Sequence, residues 1–192
     1  MIPASVKFYL ASQSPRRRKL MSLLSNNFSA FSVDLDEVIY PDEDPEDVVL
    51  RLAEHKMDLA IQQAGEGIVI TGDTIVVLDD EILVKPVDEE DAFHILSKLS
   101  DQSHSVYTGY SVHNKVTGKR ISRFERTEVY FRKLSEHEIR DYIRGGSPMD
   151  KAGAYGIQDD YGAVFVRKIE GCYYNVVGFP LSAIYLAIKE II

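Results

Sequence analysis

Val6-Lys7-Phe8-Tyr9-Leu10-Ala11-Ser12-Gln13-Ser14-Pro15-Arg16-Arg17-Arg18-Lys19-Leu20 decides how this chain is built. The apolar run 6–11 reads as a short buried strand. Ser14-Pro15 then marks a helix start, with a hydroxyl at the N-cap and proline at the first helical position. Leu20, Leu23 and Leu24 continue at helical spacing. The alternation persists outward from this unit. Pro45 opens a long helix to about residue 63, 68–71 reads as a buried strand, and 74–84 as a hairpin turning at Asp79-Asp80. A third helix is predicted over 88–99. Segments 106–112 and 121–131 read as paired strands turning through 114–118. Ser135 begins another helix with Glu138 three positions on, the spacing of a capping box. A strand over 163–169 and a terminal helix over 181–191 complete the pattern. The fold class predicted is α/β, with a mixed rather than purely parallel sheet.

The 192 residues suit one to two domains, and folding at this size removes roughly 70% of the unfolded chain's surface from water. With 45% hydrophobic and 27% charged residues, the composition is that of a folded protein rather than a disordered one. The single cysteine, Cys172, excludes an internal disulfide framework and a cysteine-rich zinc site. The longest apolar stretch, 176–188, is interrupted by Gly178, Pro180 and Ser182, so no membrane partner is expected. The first residues lack a charged n-region and a continuous apolar run, which predicts no signal peptide and a cytoplasmic location. The net charge of −8 disfavours nucleic acid, whose binding rests on basic residues neutralising phosphates. A small anion answers to the local field instead.

That local field is strongest at Arg16, Arg17, Arg18 and Lys19. Four cations in the first turn of a helix run against its dipole, and a bound anion would reverse the balance. Backbone N–H groups, the hydroxyls of Ser12 and Ser14 and forked guanidinium groups form a candidate phosphate cradle, with a solvated basic turn as the alternative. In the long helix, Val48, Leu52, Lys56, Leu59 and Gln63 step by three or four, which puts Lys56 in a largely apolar stripe. A lysine there needs an anionic partner or must snorkel to the rim. Gly72-Asp73-Thr74 follows a strand, where side chains often line the ligand crevice of α/β sheets; an aspartate there can hold Mg²⁺ or simply make a turn. Lys85-Pro86 ends the next hairpin. Asp34, Asp36 and Glu37 are further acidic candidates, whereas 42–47 reads as a solvated face. Asp150-Lys151-Ala152-Gly153-Ala154-Tyr155-Gly156-Ile157-Gln158 permits either close backbone approach to a ligand or a tight packing corner. The chain contains no G-x-x-x-x-G-K-[ST], G-x-G-x-x-G, H-E-x-x-H or G-x-S-x-G pattern. His55, His94, His104, His113 and His137 include no i, i+4 pair, and Cys172 reads as packing.

Six segments occur in a fixed order: Ala11-Ser-Gln-Ser-Pro-Arg-Arg, Gly72-Asp-Thr, Lys85-Pro, His104-x-Val-x-Thr-Gly, the 150–158 run, and Gly171-x-Tyr-Tyr-Asn-Val-Val-Gly-x-Pro-Leu. As a set they resemble the Maf family of nucleoside triphosphate pyrophosphatases, over nearly the whole chain. The resemblance implies a mixed twisted sheet with flanking helices and a central cleft, one catalytic unit over 1–192 with room for two lobes. It implies hydrolysis of a nucleoside triphosphate to the monophosphate and pyrophosphate. By motif, Asp73 and Glu37 become the acidic residues that accept a proton or hold a divalent cation, Mg²⁺ or Mn²⁺. Lys56 and Lys85 become phosphate-facing cations, and Ser12, Ser14, Arg16, Arg17, Thr74, Lys151 and Gln158 the substrate contacts. Arg16, Thr74 and Gln158 resemble the members acting on dTTP and UTP; the 7-methyl-GTP-cleaving branch has Trp, Gln and Glu at those places. Thr71-Gly72 departs from the family's usual Gly-Ala or Gly-Ser before the aspartate, and Gln13 and Cys172 replace commoner small residues. The family is also associated with septum formation, so a nucleotide-binding regulator with little catalysis is the alternative function. A homodimer is compatible with the resemblance.

Overall fold

The structure, a computed structural model, describes residues 2–146, 148–158 and 160–192. The opening segment folds as strand β1 (Phe8–Ala11) and helix α1 (Pro15–Leu24), with Pro15 at the helix start and the Ser14 hydroxyl accepting from the Arg17 N–H. Strand β2 (Phe28–Phe31) returns beside β1, and helix α2 spans Pro45–Gln63. Next come β3 (Ile68–Leu78), β4 (Glu81–Leu83) and α3 (Glu89–Leu99), then the long strands β5 (Ser103–Asn114) and β6 (Arg120–Phe131). Helix α4 (Glu136–Arg144), strand β7 (Val166–Glu170), the short α5 (Tyr173–Val176) and α6 (Leu181–Ile191) close the chain. The seven strands form a mixed sheet in the order β2-β1-β3-β5-β6-β7, with β4 also on β3. Strand β1 runs parallel to β2 and β3, whereas β4 on β3 and β7 on β6 are antiparallel.

Two compact units divide the chain: Met1–Asp73, Thr108–Glu125 and Gly178–Ile192 make the first, Thr74–Tyr107 and Arg126–Val177 the second. The core of the first includes Ala11, Met57, Ala60, Ala64 and Val69, packed by Tyr9, Phe31, Val33 and Ile61. In the second, Phe131 sits between His104, Tyr155 and Phe165 at ring-centroid separations of 5.0, 4.8 and 5.9 Å, edge to face. Helix α4 carries the expected capping box, Ser135 and Glu138 each bonding the other's backbone N–H.

Two expectations are corrected. Segments 68–71 and 74–84 are not separated by a turn. Strand β3 runs through Gly72 and Asp73, so Asp73 stands inside a strand, not beyond its end. A glycine suits this interior position because a Cβ on Gly72 would lie 3.0 Å from the Gly109 carbonyl oxygen. The reversal does fall at Asp79-Asp80, where both residues have positive φ, 47° and 67°. The strand expected over 163–169 starts only at Val166, because Asp160–Val164 is wound into a 3₁₀ turn.

Candidate active site

The first unit gathers the charged residues around α1, α2 and β3. Lys56 is 8% exposed although its side chain is ionic, and Asp73 is 7% exposed. Lys56 Nζ donates to Glu37 Oε1 at 2.6 Å and also to Asp73 Oδ2. One ammonium therefore bridges two carboxylates, the anionic partners that the apolar stripe demanded. Glu37 is the more open of the pair, with 43% of its side chain exposed.

Arg17 is gripped by backbone carbonyls. Its Nε donates to the Gly178 carbonyl at 2.8 Å and its Nη1 to the Gly72 carbonyl at 2.9 Å. Burial pulls its guanidinium below the ordinary arginine pKa, Asp73 and Glu37 oppose that pull, and Arg16 adds to it. The group remains a cation at any physiological pH. At the helix start, Ser12 Oγ accepts from the Ser14 N–H at 3.2 Å, and Arg18 folds back onto the Ser12 carbonyl with Nε and Nη2 at 3.4 Å each. Arg16, partly exposed, lies at the same helix start. Cations, hydroxyls and a helix N-terminus together suit a polyanion.

The other predicted residues belong to the second unit. Thr74 follows Asp73 directly in β3. Lys85 is exposed just after β4 and forms no ion pair among the described residues. Lys151 is 7% exposed, with Nζ 2.7 Å from Asp150 Oδ1. Its segment is tied to the residue before Lys85 by the Gly153 N–H, which donates to the Val84 carbonyl at 3.4 Å. The Gln158 side-chain nitrogen is buried and has no hydrogen-bond partner among the described residues, a donor left for something else. His104 is a fold residue: its Nε2 meets the Tyr155 hydroxyl at 2.8 Å, and burial pushes its pKa down to about 4 against the Glu128 carboxylate.

Sequence reasoning missed the Gly72 and Gly178 carbonyls that grip Arg17. A backbone acceptor leaves no mark in side-chain identity, so no signal pointed to them. For a divalent cation, the donor set is two carboxylates that share one ammonium; no group of three or more His, Cys, Asp or Glu is gathered among the described residues. Two carboxylates fit Mg²⁺, which commonly takes one or two and completes its shell with waters and phosphate oxygens.

A structure titled as a HAM1 protein from Coxiella burnetii shares the fold, with a TM-score of 0.54 at 12% identity, covering 96% of this chain and 99% of that one. A protein of Syntrophomonas wolfei named dTTP/UTP pyrophosphatase is 45% identical, over 92% of this chain and 93% of its own. One of Clostridium botulinum with the same name is 44% identical, over 97% of this chain and 100% of its own. The family model described as Maf-like protein matches residues 7–191, and with it the chain belongs to the Maf family.

Proposed function

We propose that this chain hydrolyses dTTP and UTP to the monophosphate and pyrophosphate. The observation that carries the reading is the Lys56 ammonium shared by Glu37 and Asp73, in the unit that also holds Arg17 and the helix start of α1. The names of the relatives, at 45% and 44% identity over nearly full length, support the substrate class.

In this reading a water oxygen bonds to the α-phosphorus while the bond to the bridging oxygen of the β-phosphate breaks, its electron pair leaving with pyrophosphate. Asp73 either accepts the proton of the attacking water or holds the divalent cation that lowers that water's pKa. Lys56, Lys85 and Arg17 offset the negative charge that grows on the phosphate oxygens. Ser12 and Ser14 donate to the triphosphate, and Lys151 adds a further cation. Arg16, Thr74 and Gln158 read the pyrimidine edge; a site built to hydrogen-bond one base rejects others by leaving its polar groups unpaired. Glu37 and Asp73 would hold Mg²⁺ or Mn²⁺, which supplies charge neutralisation on the phosphates when bound. The reaction belongs to the cytoplasm and needs neither nucleic acid nor membrane, and the acting species is a homodimer, to be checked by solution mass.

The test is hydrolysis of dTTP, UTP, dCTP, ATP, GTP and 7-methyl-GTP in ¹⁸O water, with added Mg²⁺ and with chelator. Expected are fastest turnover of dTTP and UTP, release of pyrophosphate rather than orthophosphate, and the label in the monophosphate. Label in the pyrophosphate moves the attack to the β-phosphorus. Equal rates across the panel overturn the pyrimidine reading, and nucleotide binding without turnover leaves a regulator.

A further inference from the structure

Helix α2 meets the sheet at three points in one line. Val49, Ala53 and Lys56 step by four and three residues, so they share one face of the helix. At the first point, a Cβ built on Gly109 of β5 would stand 2.1 Å from the Val49 carbonyl oxygen and 2.4 Å from its carbon. Only a residue without a side chain lets the helix backbone lie there. At the second point, the fully buried Thr71 of β3 donates its hydroxyl to the Ala53 carbonyl at 2.7 Å. The third is the ion pair of Lys56 with Asp73. Thr71 and Asp73 are two positions apart in one strand, so they point to the same face of the sheet.

An interior helix carbonyl already accepts its own i+4 N–H, so Ala53 does not need the Thr71 hydroxyl. What the bond adds is direction. Apolar packing sets how close a helix lies but is non-directional, whereas a hydrogen bond of this length restricts where the Ala53 carbonyl can sit along and around the helix axis. Lys56 lies one turn beyond the pin, and its long side chain must end on two carboxylates at once.

We propose that Thr71 and Gly109 are positioning residues: they set the height and rotation of α2 on the sheet so that the Lys56 ammonium reaches Asp73 and Glu37. Neither residue touches the reacting atoms in this assignment. The effect on turnover rests on the function proposed above, whereas the placement of Lys56 does not, and the experiment separates the two.

Thr71→Val keeps the shape and removes the hydroxyl; Thr71→Ser keeps the hydroxyl and removes a buried methyl. The first readout is competitive acetylation of the folded full-length chain, with the labelling of Lys56 measured against its other lysines by peptide mass spectrometry. Lys56 labelling rises several-fold in Thr71→Val and stays near wild type in Thr71→Ser. The melting temperature runs the other way, the serine variant being the less stable. The second readout is turnover of dTTP: kcat falls roughly ten-fold in Thr71→Val, the scale of a misplacement of less than an ångström, and the serine restores it. Gly109→Ala repeats the Lys56 effect more strongly if it folds, and the Thr71 pair decides the matter if it does not. Unchanged Lys56 labelling in Thr71→Val, or labelling that follows the melting temperature across the set, overturns the proposal. A chain that turns over neither dTTP nor UTP but shows the labelling pattern loses the function and keeps the positioning.

Discussion

In the first unit, Lys56 and Asp73 pair under little solvent with the more open Glu37 on the same ammonium; in the second, His104 meets Tyr155 against Phe131 under less still. Both clusters put polar atoms where an apolar core could stand. The second does so without charge: burial holds the imidazole neutral and pushes the Tyr155 hydroxyl up, and one hydrogen bond joins the two, while His104 Nδ1 has no hydrogen-bond partner among the described residues. The first keeps its charges, although removing ions from water costs several kcal/mol each before pairing offsets it. A neutral knot suffices to build a fold. A charged one is what the proposed reaction calls for.

The sharpest way to break this contrast is Asp73→Asn. Turnover of dTTP should fall by about 10²–10⁴-fold, the usual loss for a general base, while the melting temperature stays near wild type. Turnover near wild type would remove Asp73 from the chemistry. Phe131→Ala should do the reverse, costing about 3–5 kcal/mol of stability by urea unfolding, because a fully buried ring leaves a cavity.

Acid should also find the second knot. The unfolded imidazole titrates near 6.5 and the folded one at about 4, so the unfolded chain binds the extra proton between them. Stability from His104 is therefore complete above 6.5 and drains away as the pH falls toward 4, by about 3 kcal/mol in all. Urea midpoints at about pH 7 and about pH 5 should converge less in the wild type than in His104→Phe, which cannot take up that proton. An equal acid loss in both proteins would assign the effect to carboxylates instead. The smallest effect belongs to Ser135→Ala, which removes half of the α4 capping box and should cost about 1 kcal/mol with kcat unchanged.

Local signals were the legible ones. Pro45, the 3.6-residue stripe of α2 and the Ser135–Glu138 pair each act within a few residues, and those helices fall where their spacing puts them. The strand interior was misread at Gly72, since glycine resembles a strand end unless the close approach of Gly109 is known. Lys56 announced its need for an anion, but Glu37 and Asp73 lie 19 and 17 positions away and nothing local names them. The ordered motifs of the Maf family pointed to both residues, where periodicity could not. Thr71 gave no signal at all, for a threonine in a strand is ordinary until its hydroxyl is seen on a helix carbonyl.

The grip on Arg17 has a consequence for biosynthesis. The carbonyls of Gly72 and Gly178 that accept from it lie 55 and 161 positions further along the chain. A nascent polypeptide that has been translated only to Val177 already possesses α1 and β3, yet it lacks the Gly178 carbonyl that accepts from Arg17 Nε. The surroundings of Arg17 are thus completed only once the chain has been read past Gly178.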